Sequence, residues 1–348
     1  MKTVYGIMGI DPRVLLAYRM RPRRIEPVRG AYRIEDTGGV WVLKRFPHAV
    51  EDLQFIFRAQ HHLAARGFRR FSPIRLTPQG ALCLSVGSEH WLCSAWVEGR
   101  ECDFDRWRDL AATAAAVAEF HYAGRGFIAS EFAGRCLWQR WPQIIATKTA
   151  QLEACRRVAV ERMEQRVHAG GEEPNDSTEF DRLFLTHADT LLAEAREACA
   201  LLDHSAYSML MEREAAGGGL CHHDLAHHNV IIDDEGQIFF LDFDHAVMDT
   251  RLHDVGSLLI RALKRDRWSV EKGVNLLSAY HDAYPLSQAE REVLVAFLSF
   301  PNDFWQYVYA YYFESLAQPP EYHIKRLKRF LNHQKQRRRF LNDFPGRL

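Results

Sequence analysis

Two stretches of sequence, joined by a short connection, decide the fold of this chain. The first is Cys221-His222-His223-Asp224-Leu225-Ala226-His227-His228-Asn229, and the second is Leu241-Asp242-Phe243-Asp244. The connection holds two apolar runs, 230–232 and 238–241, on either side of an Asp- and Gly-containing turn at 233–236, which predicts a β-hairpin. A tight loop that leads into such a hairpin can point Asp224 one way and bring Asn229 and Asp242 together from opposite strands.

These side chains suit phosphoryl transfer from a nucleotide. That reaction uses a carboxylate that orients the acceptor hydroxyl and takes its proton, and oxygen ligands for a Mg²⁺ ion on the phosphates. We assign the first role, that of the catalytic base, to Asp224 and the second, that of metal ligands, to Asn229 and Asp242. Asp244 has two interpretations, a second acid of the metal site or a solvated carboxylate.

The spacing His-x-Asp-x-x-x-x-Asn, followed by an apolar strand that ends in Asp, is matched by His222, Asp224, Asn229 and Asp242. It resembles the signature of the aminoglycoside and choline kinase-like phosphotransferase superfamily, a branch of the protein-kinase-like fold. Features similar to the bacterial spore coat CotS-related branch flank it: Gly67-Phe68, Trp96-Val97-Glu98-Gly99-Arg100-Glu101, Phe120-His121 and Phe300-Pro301-Asn302-Asp303-Phe304-Trp305. In element order, the resemblance covers about Val28 to Phe313.

The rest of the sequence predicts an α+β chain of two lobes. The N-terminal part reads as a hairpin that turns at 36–39, a helix at 49–65 that stops at Gly67, and strands at 80–86 and 91–97. The remainder reads as helical apart from the hairpin, with an alanine-rich helix at 109–122 and a polar loop at 169–177. We therefore expect a bilobal protein-kinase-like fold. It has a nucleotide-binding lobe at 1–97, a hinge near 94–99, and a helical lobe at 98–348 that carries the catalytic loop 222–229 and the metal-site strand end 242–244.

The resemblance also implies nucleotide-binding residues. Lys44, at a strand end, would meet the α- and β-phosphates as a compact ammonium, with a solvated lysine as the alternative. Glu51 would pair with Lys44 from the following helix, although an acid at a helix start is also favoured by the helix dipole. Trp96 and Val97 fall at the hinge, whose backbone would read the adenine edge. Phosphate binding by a glycine-rich loop is weakly indicated, since residues 28–32 hold a single glycine, Gly30.

Two residues would support the loop. The resemblance assigns Asp254 to bracing it from the start of the next helix, with a plain helix N-terminal acid as the alternative. His222 would orient the loop as a buried, hydrogen-bonded histidine. Although four histidines crowd residues 222–228, neighbouring side chains on a tight loop point in different directions, and no Cys/His set has structural-zinc spacing. Zinc is therefore not expected.

Composition excludes several protein classes. The chain has 348 residues, 47% of them hydrophobic, and its 45 basic and 45 acidic residues cancel, so bulk charge indicates neither a nucleic-acid nor a membrane partner. The basic stretch 325–339 reads as an amphipathic helix with solvated charges. Seven cysteines without a CxxC pair indicate reduced thiols. Without a signal peptide or a membrane-spanning run, we expect a cytoplasmic protein, with the spore coat as the alternative location.

The sequence thus predicts a small-molecule kinase that uses ATP and Mg²⁺. His223 stands where protein kinases have Arg, and no Ala-Pro-Glu segment follows, which argues against protein substrates. Around the expected site, acids (Asp242, Asp244, Asp249, Asp254, Asp303) outnumber Arg251, and aromatic residues at 304–312 offer an acceptor pocket. These features favour a hydroxyl of a neutral or cationic acceptor, such as a sugar, an amino alcohol or an aminoglycoside-like compound. The alternative is a kinase-fold spore coat protein with little or no turnover, which would have spore coat proteins as partners.

Overall fold

The computed structural model describes residues 9–168, 176–314 and 318–348. Its contacts divide the chain into two compact units, Met1–Cys136 with Gly217–Ser257, and Leu137–Ala216 with Leu258–Leu348. This division does not follow the lobe boundary placed near residue 97, which remains a prediction. Every residue assigned above to catalysis, nucleotide binding, metal binding or loop support belongs to the first unit.

The first unit begins with a five-stranded antiparallel sheet. Its strands are β1 (Arg24–Val28), β2 (Ala31–Asp36), β3 (Gly39–Phe46), β4 (Cys83–Val86) and β5 (Glu89–Ala95), in the order β1-β2-β3-β5-β4. The predicted turn between β2 and β3 is confirmed, because Asp36 pairs with Gly39. Strand β1 was not predicted. It contains Pro27, which the sheet accommodates because β1 lies at an edge.

The sheet buries one face against a short N-terminal helix, α1 (Pro12–Ala17). Their shared core consists of Ile10, Val14, Leu15, Tyr18, Met20, Ile34, Leu43, Trp91 and Cys93. The Tyr18 hydroxyl donates to the carbonyl of Trp91 at 3.1 Å, which ties the end of α1 to β5. Helix α1 is too short for a helical period to be detected in the sequence.

The predicted helix after β3 is present as α2 (Val50–Ala65). It is followed at the predicted position by Gly67, which has a φ of +88° that side-chain-bearing residues rarely adopt. The N–H of Phe68 donates to the carbonyl of Leu63 at 2.9 Å, and that of Gly67 to the carbonyl of Ala64 at 3.1 Å. This pair of bonds is a Schellman motif, which satisfies carbonyls that the helix end would otherwise leave open.

The rest of the first unit carries the predicted hairpin. Strands β6 (Arg100–Glu101), β7 (Val230–Ile232) and β8 (Ile238–Phe240) form a second antiparallel sheet, and helix α3 (Trp107–Gly124) follows β6 in sequence. Gly99 precedes β6 with a φ of +141°, and a Cβ there would lie 2.4 Å from the carbonyl oxygen of Ile232. A glycine is therefore required where the chain crosses β7.

The second unit is helical in its described residues. Its helices are α4 (Trp141–His168), α5 (Asp176–His204), α6 (Tyr207–Gly217), α8 (Val270–Ala283), α9 (Gln288–Ser299), α10 (Asn302–Phe313), α11 (Pro320–Leu331) and α12 (Gln334–Asp343), and α7 (Leu252–Leu263) leads into it from the first unit. The loop predicted at 169–177 falls mainly on residues 169–175, outside the described residues.

The basic stretch 325–339 differs from the prediction of one helix with solvated charges. It contains the end of α11 and the start of α12, and Arg337 is only 2% exposed. Arg337 donates to Glu194 at 2.7 Å and to the Ser299 carbonyl at 2.6 Å, since a guanidinium so deeply buried needs acceptors on several sides.

The N-terminal antiparallel sheet and the larger helical remainder confirm the predicted α+β fold class. All seven cysteines are free, as expected. Among the described residues, no helix combines the length and the apolar character needed to cross a membrane.

Candidate active site

The loop after α6 is held by one buried carboxylate. Asp254, near the start of α7, is 0% exposed and accepts hydrogen bonds from the backbone N–H groups of His222 at 2.7 Å and His223 at 2.9 Å. Burial would raise the pKa of Asp254, but hydrogen bonds from His121 and His253 hold it well below the usual range. The charged carboxylate therefore fixes the backbone just before Asp224, which is the geometry that a brace requires.

The His222 ring links this loop to the end of β8. Its Nε2 lies 2.8 Å from the carbonyl oxygen of Leu241, which can only accept, so Nε2 carries the ring proton. Burial lowers the pKa of His222, which keeps the ring neutral. Since Leu241 directly precedes Asp242, one side chain aligns the catalytic-loop segment with the segment that bears the predicted metal ligand.

Asn229 and Asp224 are in direct contact. The Asn229 side-chain nitrogen donates to the Asp224 carboxylate at 2.9 Å and to the Asp224 carbonyl at 3.0 Å. The Asn229 backbone also bonds to the residue before Asp242, because the Asn229 carbonyl accepts from the Leu241 N–H at 2.8 Å. With its nitrogen turned to Asp224, the amide presents its oxygen elsewhere, as a metal ligand would require.

Lys44 lies between two carboxylates. Its Nζ donates at 2.7 Å to Asp242 and at 2.7 Å to Asp244, and the three side chains are 20%, 42% and 12% exposed, respectively. The interpretation of Asp244 as a solvated acid is therefore wrong. Two negative groups and one positive group meet here, so the cluster carries an excess negative charge.

The pKa values of these groups follow from that charge balance. Burial would raise the pKa of Asp242, but the charge and hydrogen bond of Lys44 lower it to about 2. Burial, together with the charge of Asp242, raises the pKa of Asp244. Although burial favours neutral Lys44, the charges of Asp244 and Asp242 outweigh it and raise the pKa of its ammonium. The residue expected to hold phosphate is thus a firmly protonated cation.

Two residues of the site have strained backbones. His223 has a φ of 68° and Asp242 a φ of 60°, both in the left-handed region. Such conformations cost roughly 1–3 kcal/mol each and persist where surrounding contacts enforce them. Here Asp254 holds His223, and Lys44 holds Asp242, so the strain is concentrated beside the chemistry-bearing side chains.

The donor set fits a hard divalent cation. Mg²⁺ is bound by one or two carboxylates, waters and phosphates, and it prefers oxygen ligands. Asp242 and Asp244 supply carboxylates with an excess negative charge, and Asn229 supplies an amide oxygen. If Mg²⁺ binds, Asn229 and Asp242 would hold it.

A cavity of about 460 Å³ adjoins this cluster within the first unit. Lys44, Asn229 and Asp242 line it together with Trp96 and Val97. The Trp96 N–H is committed to the carbonyl of Val40 at 3.0 Å. Among the backbone hydrogen bonds of the described residues, none uses the N–H of Val97, which lines the cavity at the segment predicted to be a hinge.

Glu51 does not meet Lys44. Its side chain is exposed, and in the part of the chain that the structure describes it forms no ion pair with Lys44. The neighbouring acid Asp52 instead accepts from Arg135 at 2.7 Å. The expected pairing fails because Lys44 already has Asp242 and Asp244, both in the first unit. Sequence reasoning missed Arg135, which belongs to no motif.

A second unpredicted contact lies at the rim of the cavity. Arg29 and Glu101 form a two-bond ion pair, with both nitrogen–oxygen distances at 2.9 Å, and both line the cavity. Arg29 and Gly30 make the tight turn between β1 and β2, with φ of 46° and 79°. The turn where the sequence weakly indicated a phosphate-binding loop therefore presents the Arg29 guanidinium to the cavity and has no run of glycine amides.

The histidines of the loop have different partners, although the neighbouring rings of His227 and His228 lie with centroids 5.3 Å apart. His223 stacks on His253 with ring centroids 3.5 Å apart, and its Nε2 lies 3.1 Å from Asp249. His227 lies 4.0 Å from Glu101. Two of the acids counted around the expected site, Asp249 and Asp254, are thus engaged with histidines, and Glu101 lies near His227 at the rim of the cavity.

The aromatic stretch of the second unit forms α10. Phe304 is fully buried, whereas Trp305 and Tyr309 are partly exposed and stack with centroids 5.9 Å apart. Lys148 donates to Asn302 at 2.7 Å beneath the Trp305 ring, and Asp303 pairs with Lys264 at 3.2 Å. The other aromatic side chains at 304–312 are also partly exposed, and their role as an acceptor pocket remains a prediction.

Comparison with known proteins adds independent information. The sequence model described as the phosphotransferase enzyme family matches residues 28–294. The chain is 27% identical over 286 residues to Spore coat protein S of Bacillus subtilis (strain 168), covering 82% of this chain and 77% of that protein.

Two solved structures show the same fold. One is an aminoglycoside phosphotransferase from Alicyclobacillus acidocaldarius subsp. acidocaldarius DSM 446, with a TM-score of 0.82 and 22% identity over 98% of this chain and 97% of that chain. The other is an AMP-bound spectinomycin phosphotransferase, with a TM-score of 0.66 and 11% identity over 94% of this chain and 96% of that one. The resemblance and the fold expected from the sequence are confirmed.

Proposed function

Because this chain belongs to the phosphotransferase enzyme family, we propose that it transfers a phosphoryl group from ATP to a hydroxyl of a small neutral or cationic molecule. One observation carries the proposal. Lys44, Asn229 and Asp242, which are far apart in sequence, line one cavity in the first unit, and Asp224 is hydrogen-bonded to Asn229. A protein that served only as a scaffold would have no physical need for all four.

The roles follow from the contacts. Asp224 orients the acceptor hydroxyl and takes its proton, and the Asn229 amide fixes the direction of the Asp224 carboxylate. Lys44 binds the phosphates from one side, as the protonated cation that its two carboxylate neighbours maintain. When bound, Mg²⁺ neutralises charge on the phosphates, and Asn229 and Asp242 hold it.

The nucleotide assignment is supported by the hinge and by the fold. Among the described residues, the N–H of Val97 makes no backbone hydrogen bond, and Val97 and Trp96 line the same cavity. A structure with the same fold is an AMP-bound complex. We propose that the Val97 backbone receives the adenine edge.

The acceptor class rests on charge. The cluster of Lys44, Asp242 and Asp244 carries an excess negative charge, which attracts an ammonium and repels a carboxylate or phosphate by Coulomb interaction. The two arginines that line the cavity are each paired with an acid, Arg29 with Glu101 and Arg33 with Glu35. The other acids counted from sequence contribute less, since Asp254 is engaged with the loop backbone and Asp303 with Lys264. A sugar, an amino alcohol or an aminoglycoside-like compound meets this requirement.

A second candidate is a kinase-fold protein of the spore coat with little or no turnover. It is favoured by the similarity to a protein named Spore coat protein S and by the turn at Arg29 and Gly30 in place of a glycine-rich loop. On this alternative the location is the spore coat and the partners are other coat proteins. On the enzyme proposal the location is the cytoplasm.

One experiment separates the two candidates. We would measure the melting temperature of the full chain with ATP, with ATP and Mg²⁺, and with EDTA added. We would then measure ATP consumption with a panel of acceptors: sugars, amino alcohols, aminoglycosides, and carboxylated or phosphorylated alcohols. Stabilisation by MgATP and turnover of neutral or cationic acceptors support the enzyme. An unchanged melting curve at millimolar MgATP supports the coat protein, and turnover of anionic acceptors alone refutes the charge argument.

A further inference from the structure

Arg135 is a buried arginine outside every motif of the sequence. It is 8% exposed and ends the short 3₁₀ helix Ala133–Arg135 of the first unit. Its Nε donates to the Asp52 carboxylate at 2.7 Å. One terminal nitrogen donates to the backbone carbonyls of Asp244 at 2.6 Å and Ala246 at 3.1 Å. These three bonds join α2 to the segment that follows β8.

That segment carries both partners of Lys44. Asp242 adopts the left-handed conformation, and residues Phe243–His245 form a 3₁₀ turn closed by the Ala246 N–H on the Phe243 carbonyl at 2.9 Å. A single 3₁₀ turn has poorer hydrogen-bond geometry than an α-helix. Its orientation, and therefore the direction of the Asp242 and Asp244 carboxylates, needs support from outside the segment.

Arg135 supplies that support in a way other residues would not. Its planar guanidinium serves acceptors in several fixed directions at once, whereas a lysine ammonium is a point charge on a flexible stem. Asp52 balances the charge, which a buried guanidinium requires. The chain after this segment also bonds to the Arg135 backbone, because the Met248 N–H donates to the Arg135 carbonyl at 2.8 Å.

We propose that Arg135 is a positioning residue of the active site. By holding the carbonyls of Asp244 and Ala246 it fixes the carboxylates that bind Lys44 and the metal, and through Asp52 it ties that geometry to α2. Helix α2 thus reaches the site by a guanidinium bridge and not by the Glu51–Lys44 pair expected from the family. The consequence for nucleotide binding rests on the proposed role of Asp242 as a metal ligand.

The expected size follows from comparable arrangements. Residues that orient a metal ligand without touching the metal typically contribute 10- to 100-fold to metal affinity or activity. We therefore expect Arg135→Met to weaken MgATP binding about 10- to 100-fold. Arg135→Lys keeps the positive charge but loses the planar guanidinium that bonds several acceptors at once. We therefore expect this variant to bind MgATP less tightly than the wild type.

The control is Arg58→Met. Arg58 lies on α2 and pairs with Glu131, near Arg135 in sequence, but it is 45% exposed and has no bond to the segment after β8. The full-length wild type and the three variants are compared in two ways. Hydrogen–deuterium exchange without nucleotide measures the exchange rate of the peptide that covers residues 243–248. Calorimetry measures the affinity for ATP at several Mg²⁺ concentrations.

The two readouts separate the inference from the proposed function. Faster exchange at 243–248 in both Arg135 variants but not in Arg58→Met, with a raised Mg²⁺ requirement, supports the inference. Unchanged exchange in folded Arg135→Lys and Arg135→Met overturns it, as does wild-type MgATP affinity in both. If the wild type binds no MgATP, the proposed function fails, and the exchange result alone decides whether Arg135 positions the segment.

Discussion

The side-chain amide of Asn229 donates a hydrogen bond to the Asp224 carboxylate at 2.9 Å. The contact links the residue proposed as the base to a residue proposed as a metal ligand. It also sets the amide so that its oxygen is available for a cation. Substitutions at either position therefore have distinguishable consequences.

Replacing Asp224 by Asn should abolish transfer without abolishing nucleotide binding. General-base assistance contributes on the order of 10²- to 10⁴-fold, so turnover should fall by about that factor. MgATP affinity should change little, since Lys44, Asn229 and Asp242 remain. Steady-state turnover with an identified acceptor, together with calorimetry, checks both parts. Asp234→Asn, at an exposed position in the turn after β7, is the matched control, and equal turnover of Asp224→Asn and wild type would remove Asp224 from the mechanism.

Replacing Asn229 by Asp places a second carboxylate where the amide nitrogen now meets Asp224. Like charges at that distance cannot both ionise easily, so the pKa of one carboxyl group of the pair must rise. The acid limb of the pH–rate profile should therefore move to higher pH. Asn229→Ala should reduce affinity for MgATP and move that limb less than Asn229→Asp does, since it removes a hydrogen bond to the Asp224 carboxylate without adding a charge. A profile for Asn229→Asp that superimposes on the wild type would contradict the proposed contact between base and amide.

Replacing Asp242 by Asn should weaken the response to metal. At about 100 times its dissociation constant, MgATP should stabilise the wild type by roughly 2.7 kcal/mol. The variant should lose most of that stabilisation, as EDTA should in the wild type, because a carboxylate ligand of the cation is gone. Thermal-shift curves across a Mg²⁺ series measure this. Asp233→Asn, on the turn beyond β7, is a control, and a full MgATP response in Asp242→Asn would exclude this residue as a ligand.

Acidification should destabilise the loop support. Burial lowers the pKa of His121, His222 and His253 below the ordinary value near 6.5. As pH falls below that value the unfolded chain binds protons that the folded chain excludes, so the free energy of unfolding falls. The loss is at most about 1.4 kcal/mol per pH unit for each histidine. Asp254 contributes to the free energy of unfolding in a lower pH range. Because its pKa is lowered from the ordinary value of about 3.9, its contribution is complete above that pH and is lost as the pH falls below it.

Urea unfolding of the full-length protein at pH 7, 6 and 5 tests this expectation. His253→Gln should reduce the pH dependence, since it removes one of the excluded protons. His61→Gln, on the exposed face of α2, should leave it unchanged. A pH dependence that is the same in His253→Gln and wild type would show that His253 does not contribute.

Local patterns in the sequence determined part of this structure. The hairpin of β7 and β8, the turn between β2 and β3, and the end of α2 at Gly67 were predicted because each depends on residues only a few positions apart. The loop residues His222, Asp224 and Asn229 were identified for the same reason. Their spacing is a local property of the chain.

Strand β1 and helix α1 were missed because both are short. β1 carries charged residues and Pro27, and it forms because β2 offers it an edge. α1 forms because the sheet face over Tyr18 and Trp91 is apolar and must be covered. Neither reason is visible in the segment itself.

The partners of Lys44 were decided by the tertiary structure. Asp242 and Asp244 lie 198 and 200 positions away, whereas the acid expected from the family, Glu51, lies seven positions away on the next element. The same holds for Arg135, whose acceptors are 83, 109 and 111 positions distant. The sequence specifies which groups exist and which local turns they occupy. Packing decides which charged groups pair. A buried ion can pair only with a counter-ion that the folded backbone brings within a few ångströms.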